Sequence, residues 1–114
     1  MNPQLALPVP RPIEDREPQV TARLTKLLDD ARVGVLVPAE FAYVRAGFFP
    51  DITNAYQERL RALGPSGRLV LVERTELGDD RVYLYEVTFG DRTMYYRVAL
   101  APDGGVSQFQ LREK

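Results

Sequence analysis

A chain of 114 residues with 45% hydrophobic and 27% charged side chains has the composition of a single soluble globular domain, long enough to bury a core. Its net charge of −1, with no basic stripe interleaved by aromatics, argues against nucleic acid as a partner, and no apolar run approaches the roughly 20 residues that span a bilayer. Histidine and cysteine are both absent, which excludes disulfides, thiol nucleophiles, Cys/His zinc sites and Ser-His-Asp triads, and leaves the compartment unassigned.

Residues 1–18 hold five of the nine prolines, Pro3, Pro8, Pro10, Pro12 and Pro18. That spacing forbids helix and favours extended chain. Residues 1–17 are therefore expected to be a Pro-rich tail or linker, without the basic end and apolar segment of a signal peptide. Leu5, Leu7, Val9 and Ile13 offer side chains that can lie along the domain surface. A single domain is expected over 18–114.

Pro18 suits a first helical position, and Val20, Leu24, Leu27, Leu28 and Ala31 recur at three and four residues, predicting a helix to about Arg32 with Gly34 closing it. A shorter second helix is predicted over 38–48, opened by Pro38, lined by Phe41, Val44 and Phe48, and stopped by Pro50. Asp51 is expected to cap a third helix over 52–63, with Ile52, Tyr56, Leu60 and Leu63 facing inward and Gly64 ending it.

Four strands follow, near 68–75, 81–90, 92–101 and 105–112. The first does not alternate cleanly, so the face of Glu73 is open, and residues 76–80 turn the chain into the second strand. Tyr83, Tyr85, Val87 and Phe89 share one face of that strand. Gly90-Asp91 suits a two-residue type II′ turn, which sets Val87 opposite Met94, Tyr85 opposite Tyr96 and Tyr83 opposite Val98. On the other face Glu86 lies beside Tyr95 and diagonal to Arg97, within reach of a weak ion pair. Pro102-Asp103-Gly104-Gly105 reads as a type I turn followed by a left-handed glycine, and Phe109 and Leu111 continue the apolar face. Helices followed by an antiparallel meander make an α+β fold, with the helices on one face of the sheet.

The strings LTKLLDDARVGVLVPAEFAYVRAGFF, YQERLRALGP and YEVTFGDRTMYYRVALAPDGGVSQFQL resemble small cystatin-like domains of the nuclear transport factor two-like superfamily, of the kind attached to bacterial serine hydrolases and peptidases. The resemblance covers about residues 20–112 and is strongest in the closing hairpin. It implies a curved sheet wrapped around a long helix, with a cone-shaped cavity between them. Members of that superfamily include enzymes, small-molecule binders and non-catalytic accessory domains, so it implies fold more than function.

Candidate sites follow from residue type. Tyr43, Tyr56, Tyr83, Tyr85 and Tyr96, with Phe48 and Met94 beside them, either line a ligand pocket between helices and sheet or fill the core with hydroxyls satisfied at its rim. Acid–base chemistry in such a pocket needs a carboxylate, for which Glu73 and Asp51 are the candidates. Asp79, Asp80 and Asp103 fall in turns that can share one end of the sheet; turn preference accounts for them without calcium. No catalytic residue, metal or cofactor is assigned. The outward face carries Leu84, Glu86, Tyr95 and Arg97, a mixed aromatic and Arg patch suited to docking a protein partner or parent domain, or to pairing two copies back to back.

Overall fold

The computed structural model describes residues 11–42 and 51–114. Two α-helices, α1 (Pro18–Val33) and α2 (Thr53–Leu63), precede four strands, β1 (Val70–Leu77), β2 (Asp80–Phe89), β3 (Arg92–Leu100) and β4 (Val106–Glu113). The strands form one antiparallel sheet in the order β1-β2-β3-β4. The core is the contact of α1 and α2 with one face of it: Leu24, Leu27, Leu28 and Ala31 of α1 and Leu60 of α2 are buried against Tyr83, Tyr85, Val87, Met94, Tyr96 and Val98.

Both hairpins of the first three strands turn in two residues. Phe89 pairs with Arg92 across Gly90-Asp91, and Leu77 pairs with Asp80 across Gly78-Asp79. The two glycines have φ of 63° and 61°, while neither aspartate has positive φ, which is the type II′ pattern that follows the twist of the strands. The register of β2 on β3 is the expected one, with Tyr85 opposite Tyr96 on the face toward the helices. At the third turn Gly104 N–H reaches the Ala101 carbonyl at 2.8 Å with Gly104 left-handed, again as the sequence predicts.

Strand β1 is irregular for a definable reason. Leu71 pairs with Tyr85 but Glu73 pairs with Leu84, so Val72 is an extra residue in a β-bulge. Leu71 and Val72 are consecutively buried there, and every later side chain of β1 is shifted by one face. The bulge sends Glu73 to the outward face and Arg74 to the face of Tyr83.

Three expectations change. In the described part of the helix predicted over 38–48, residues 38–42, there is a 3-10 turn at Pro38–Glu40, after which Phe41 is extended (φ −102°, ψ 140°) and bridges Val106 in parallel. The Ala42 N–H donates to the Val106 carbonyl at 2.9 Å, so this segment covers the start of the β4 edge. A Cβ on Gly105 would lie 2.9 Å from the Ala42 backbone, and glycine is what admits the approach. The rest of that predicted helix, including Val44 and Phe48, lies outside the described residues. Asp51 does not cap α2: Ile52 is already helical (φ −70°, ψ −38°) and no side chain caps the helix. Ile52 is exposed, one turn before Tyr56, which already rests on Phe109 of the edge strand β4. Phe109 itself is half-buried, because an edge strand has a neighbour on one side only.

The packed unit begins upstream of Pro18. Ile13 N–H donates to the Leu71 carbonyl at 2.9 Å, extending the β1 edge, and Asp15 and Glu17 bond into the domain. Residues 1–10 lie outside the described residues.

Candidate functional site: a tyrosine ladder and an open sheet face

On the covered face, three tyrosine hydroxyls meet successive turns of α1 and the residue before it. Tyr83 donates to Glu17 Oε2 at 2.7 Å, and Tyr96 donates to the Leu24 carbonyl at 2.9 Å. Tyr85 lies 2.8 Å from Thr21 Oγ1. Thr21 spends its own proton on Asp15 Oδ2 at 2.5 Å, so Tyr85 is the donor in that pair. Positions 17, 21 and 24 recur at four and three residues, the spacing that places side chains along one helix face. The sheet thus grips α1 by a ladder of phenols.

The rings stack as a row across the sheet. Tyr83 and Tyr85 have centroids 6.5 Å apart and nearly parallel planes, and Tyr85 and Tyr96 are 6.1 Å apart. Phe109 meets Tyr96 and Tyr56 edge-on at 5.5 and 5.2 Å. Tyr83, Tyr85 and Tyr96 are 1%, 0% and 0% exposed, so their surfaces are spent on packing. Burial pushes the Tyr85 phenol up to about 12 and raises those of Tyr96 and Tyr83 as well, the last helped by its bond to Glu17. Of the five tyrosines the sequence singles out, the structure joins Tyr56, Tyr83, Tyr85 and Tyr96 in this row, and Tyr43 lies outside the described residues.

At the open end of the ladder Glu17 collects three partners: the Tyr83 hydroxyl, Arg74 Nε at 2.9 Å and Arg81 at 4.0 Å. The Arg74 guanidinium also lies 4.7 Å from the centre of the Tyr83 ring. The Tyr83 bond first, and then the two guanidinium groups, hold the Glu17 carboxyl below the usual carboxylate range against the opposing effect of burial. Sequence reasoning missed this cluster. Glu17 sits in the Pro-rich lead, and Arg74 faces Tyr83 only because of the bulge. Glu17→Ala is expected to lose about 1 kcal/mol at pH 7, since one charge-assisted bond and a partly exposed ion pair disappear. A depressed folded-state pKa stabilises above the unfolded value and is lost as pH falls through the folded one. Thermal melts of wild type and variant should therefore differ at pH 7 and converge on acidification; equal melts at pH 7 would remove Glu17 from the latch.

Acid–base candidates do not converge on these phenols. Glu73 is exposed on the outward face opposite Leu84, and Asp51 is exposed before α2. Asp80 accepts from Ser107 Oγ at 2.6 Å, which ties the start of β2 to β4, and Asp103 accepts from Gly105 N–H at 2.8 Å within its turn. Among the described residues no group of three or more acidic side chains can hold a metal ion. Clefts at the rim among the described residues include two of similar volume. One, of about 360 Å³, is lined by Arg59, Leu63, Phe89, Arg92 and Met94; the other, of about 350 Å³, by Ile13, Asp15, Thr21, Arg68 and Leu71.

The outward face has no helix over it among the described residues. Val82 and Ala99 are buried there as a cross-strand pair outside the contiguous core, and Leu84, Glu86, Tyr95 and Arg97 are half-buried. Glu86 bonds to Lys114 at 3.2 Å rather than to Arg97, because β4 brings the chain end across the sheet to it. Arg112 rather than Arg97 lies over the Tyr95 ring, at 5.8 Å. Arg97 Nε is buried without a hydrogen-bond partner among the described residues. No helix among them is long and apolar enough to cross a membrane. No family model, no curated protein and no solved structure matches this chain.

Proposed function

We propose that this chain is a non-catalytic interaction domain, of the cystatin-like and nuclear transport factor two-like kind, that acts by contact through the outward face of its sheet. The observation that carries this reading is the division of labour between the two faces. The phenols of the covered face are committed to α1, whereas the outward face leaves Leu84, Tyr95 and Arg97 half-buried and the Arg97 Nε unpartnered. A buried donor without an acceptor costs free energy, and a partner that supplies the acceptor recovers it. Aromatic and Arg side chains around a small apolar centre are also the composition that dominates binding energy at protein interfaces.

A photo-crosslinking residue placed at Tyr95 tests this in the native host. Adducts are expected from position 95 and not from the exposed Gln19 on α1. No adduct at 95, from a chain that melts like wild type, would overturn the reading.

A further inference from the structure

The register of the sheet segregates charge on its outward face in a way no segment of the sequence displays. Alternation and pairing place Glu73, Asp80 and Glu86 on the β1–β2 half of that face, with no cation among them. They place Arg97 and Arg112 on the β3–β4 half, with no carboxylate among them, while Lys114 beyond β4 reaches across to pair with Glu86. Arg74 and Arg81, the cations of β1 and β2, point to the covered face, where they meet Glu17. The face is therefore acidic on one side and basic on the other, with Leu84 and Tyr95 near the dividing line.

We infer that the occupant of this face is a second copy of the same chain, packed back to back about a two-fold axis that runs parallel to the strands between β2 and β3. This rests on the contact role proposed above. Such an axis lays β1 and β2 of one copy over β4 and β3 of the other, so each acidic half meets a basic half, twice over, as an isologous interface requires. It brings Leu84 of each copy over Arg97 of the other, with the two Leu84 side chains one strand spacing apart at the centre. It also sets the partner's Glu73, exposed at the β1 end of this row, over Gln110 and one strand away from Arg97, whose Nε has no acceptor among the described residues. An axis perpendicular to the strands would instead stack like charge on like charge. Four strands at about 4.8 Å spacing and about 26 Å of length give a face of roughly 500 Å² per copy. That is at the low end for specific interfaces, and the opposed charges make the dimer salt-sensitive.

Sedimentation velocity of the 114-residue chain over about 10 to 300 µM, where a weak contact of this size is read, gives the result. Wild type is expected to move from monomer to dimer across this range, and to shift back toward monomer in high salt. Glu73→Arg and Arg97→Glu, each alone, should weaken the dimer by about tenfold or more, because each creates two like-charge contacts. An equimolar mixture of the two variants should recover it, since both contacts in the mixed dimer are then opposite in sign. A wild type that stays monomeric throughout, or single variants that dimerise as well as wild type, would overturn the inference. Adducts at position 95 to a different protein, with a monomeric wild type, would leave the contact role standing and sink only the second copy. Leu84→Ser provides the same test without a change of charge.

Discussion

Raised from about pH 9 to above 12, the protein should unfold in one cooperative step as its ladder tyrosines ionise. The Tyr85 phenol is pushed up to about 12 by burial, and those of Tyr96 and Tyr83 are raised too. A group whose pKa is higher in the folded than in the unfolded chain contributes its stability in full below the unfolded value, here near 10, and loses it as pH rises through the folded value. Tyr85 alone then removes roughly 2 to 3 kcal/mol by pH 12, and Tyr96 and Tyr83 act in the same direction. Phenolate absorbance and far-ultraviolet circular dichroism, followed together, check this. The ladder tyrosines should ionise only as the dichroism is lost. Tyr96→Phe should move the transition to higher pH while losing about 1 kcal/mol at pH 7 for the missing bond to Leu24. Tyr83, Tyr85 and Tyr96 titrating near pH 10 with the fold intact would show that the phenols are not held as described.

Leu60→Ala should cost about 2 to 5 kcal/mol, the range for emptying a fully buried leucine site. Leu60 is 0% exposed and is the residue of α2 that reaches the core completely, with Tyr56 and Leu63 half-buried on either side of it. Phe109→Ala should cost less than a buried phenylalanine does, because its ring is partly solvated on the edge strand and its contacts are the two edge-on tyrosines. The sequence offers no way to rank the two, since both fall on the apolar stripe of their element. Urea melts give the comparison directly. A loss under 1 kcal/mol for Leu60→Ala would mean that α2 does not pack where the structure has it.

Much of the covered face was legible from local pattern. The period of α1 and the alternation of β2 and β3 specify which side chains point inward, and a two-residue turn leaves only one register for that hairpin. Tyr83, Tyr85 and Tyr96 followed as inward residues by counting. What they do there did not follow. Whether inward phenols line a pocket or grip a helix depends on which backbone carbonyl and which carboxylate arrive opposite them. Glu17 and Arg74 arrive from 66 and 9 residues away in the chain, without periodicity to announce them.

The failures share one cause. Pro38 followed by Phe41 at a helical spacing is equally compatible with a strand partner, and the open edge of β4 at Val106, with glycine at 105 to admit it, decided for the extended form. The extra residue at Val72 is invisible in a run of four apolar residues, yet it decides the face of everything after it in β1. Charge segregation on the outward face was equally hidden, because Glu73, Glu86, Arg97 and Arg112 become two opposed halves only once four strands are ordered and registered side by side. The sequence by itself determined the period of each regular element and the closure of its tight turns, because those depend on neighbours within a few residues. Bulge, edge cover, latch and charged halves were decided by the tertiary structure, because each is a contact between groups whose separation along the chain carries no local signal.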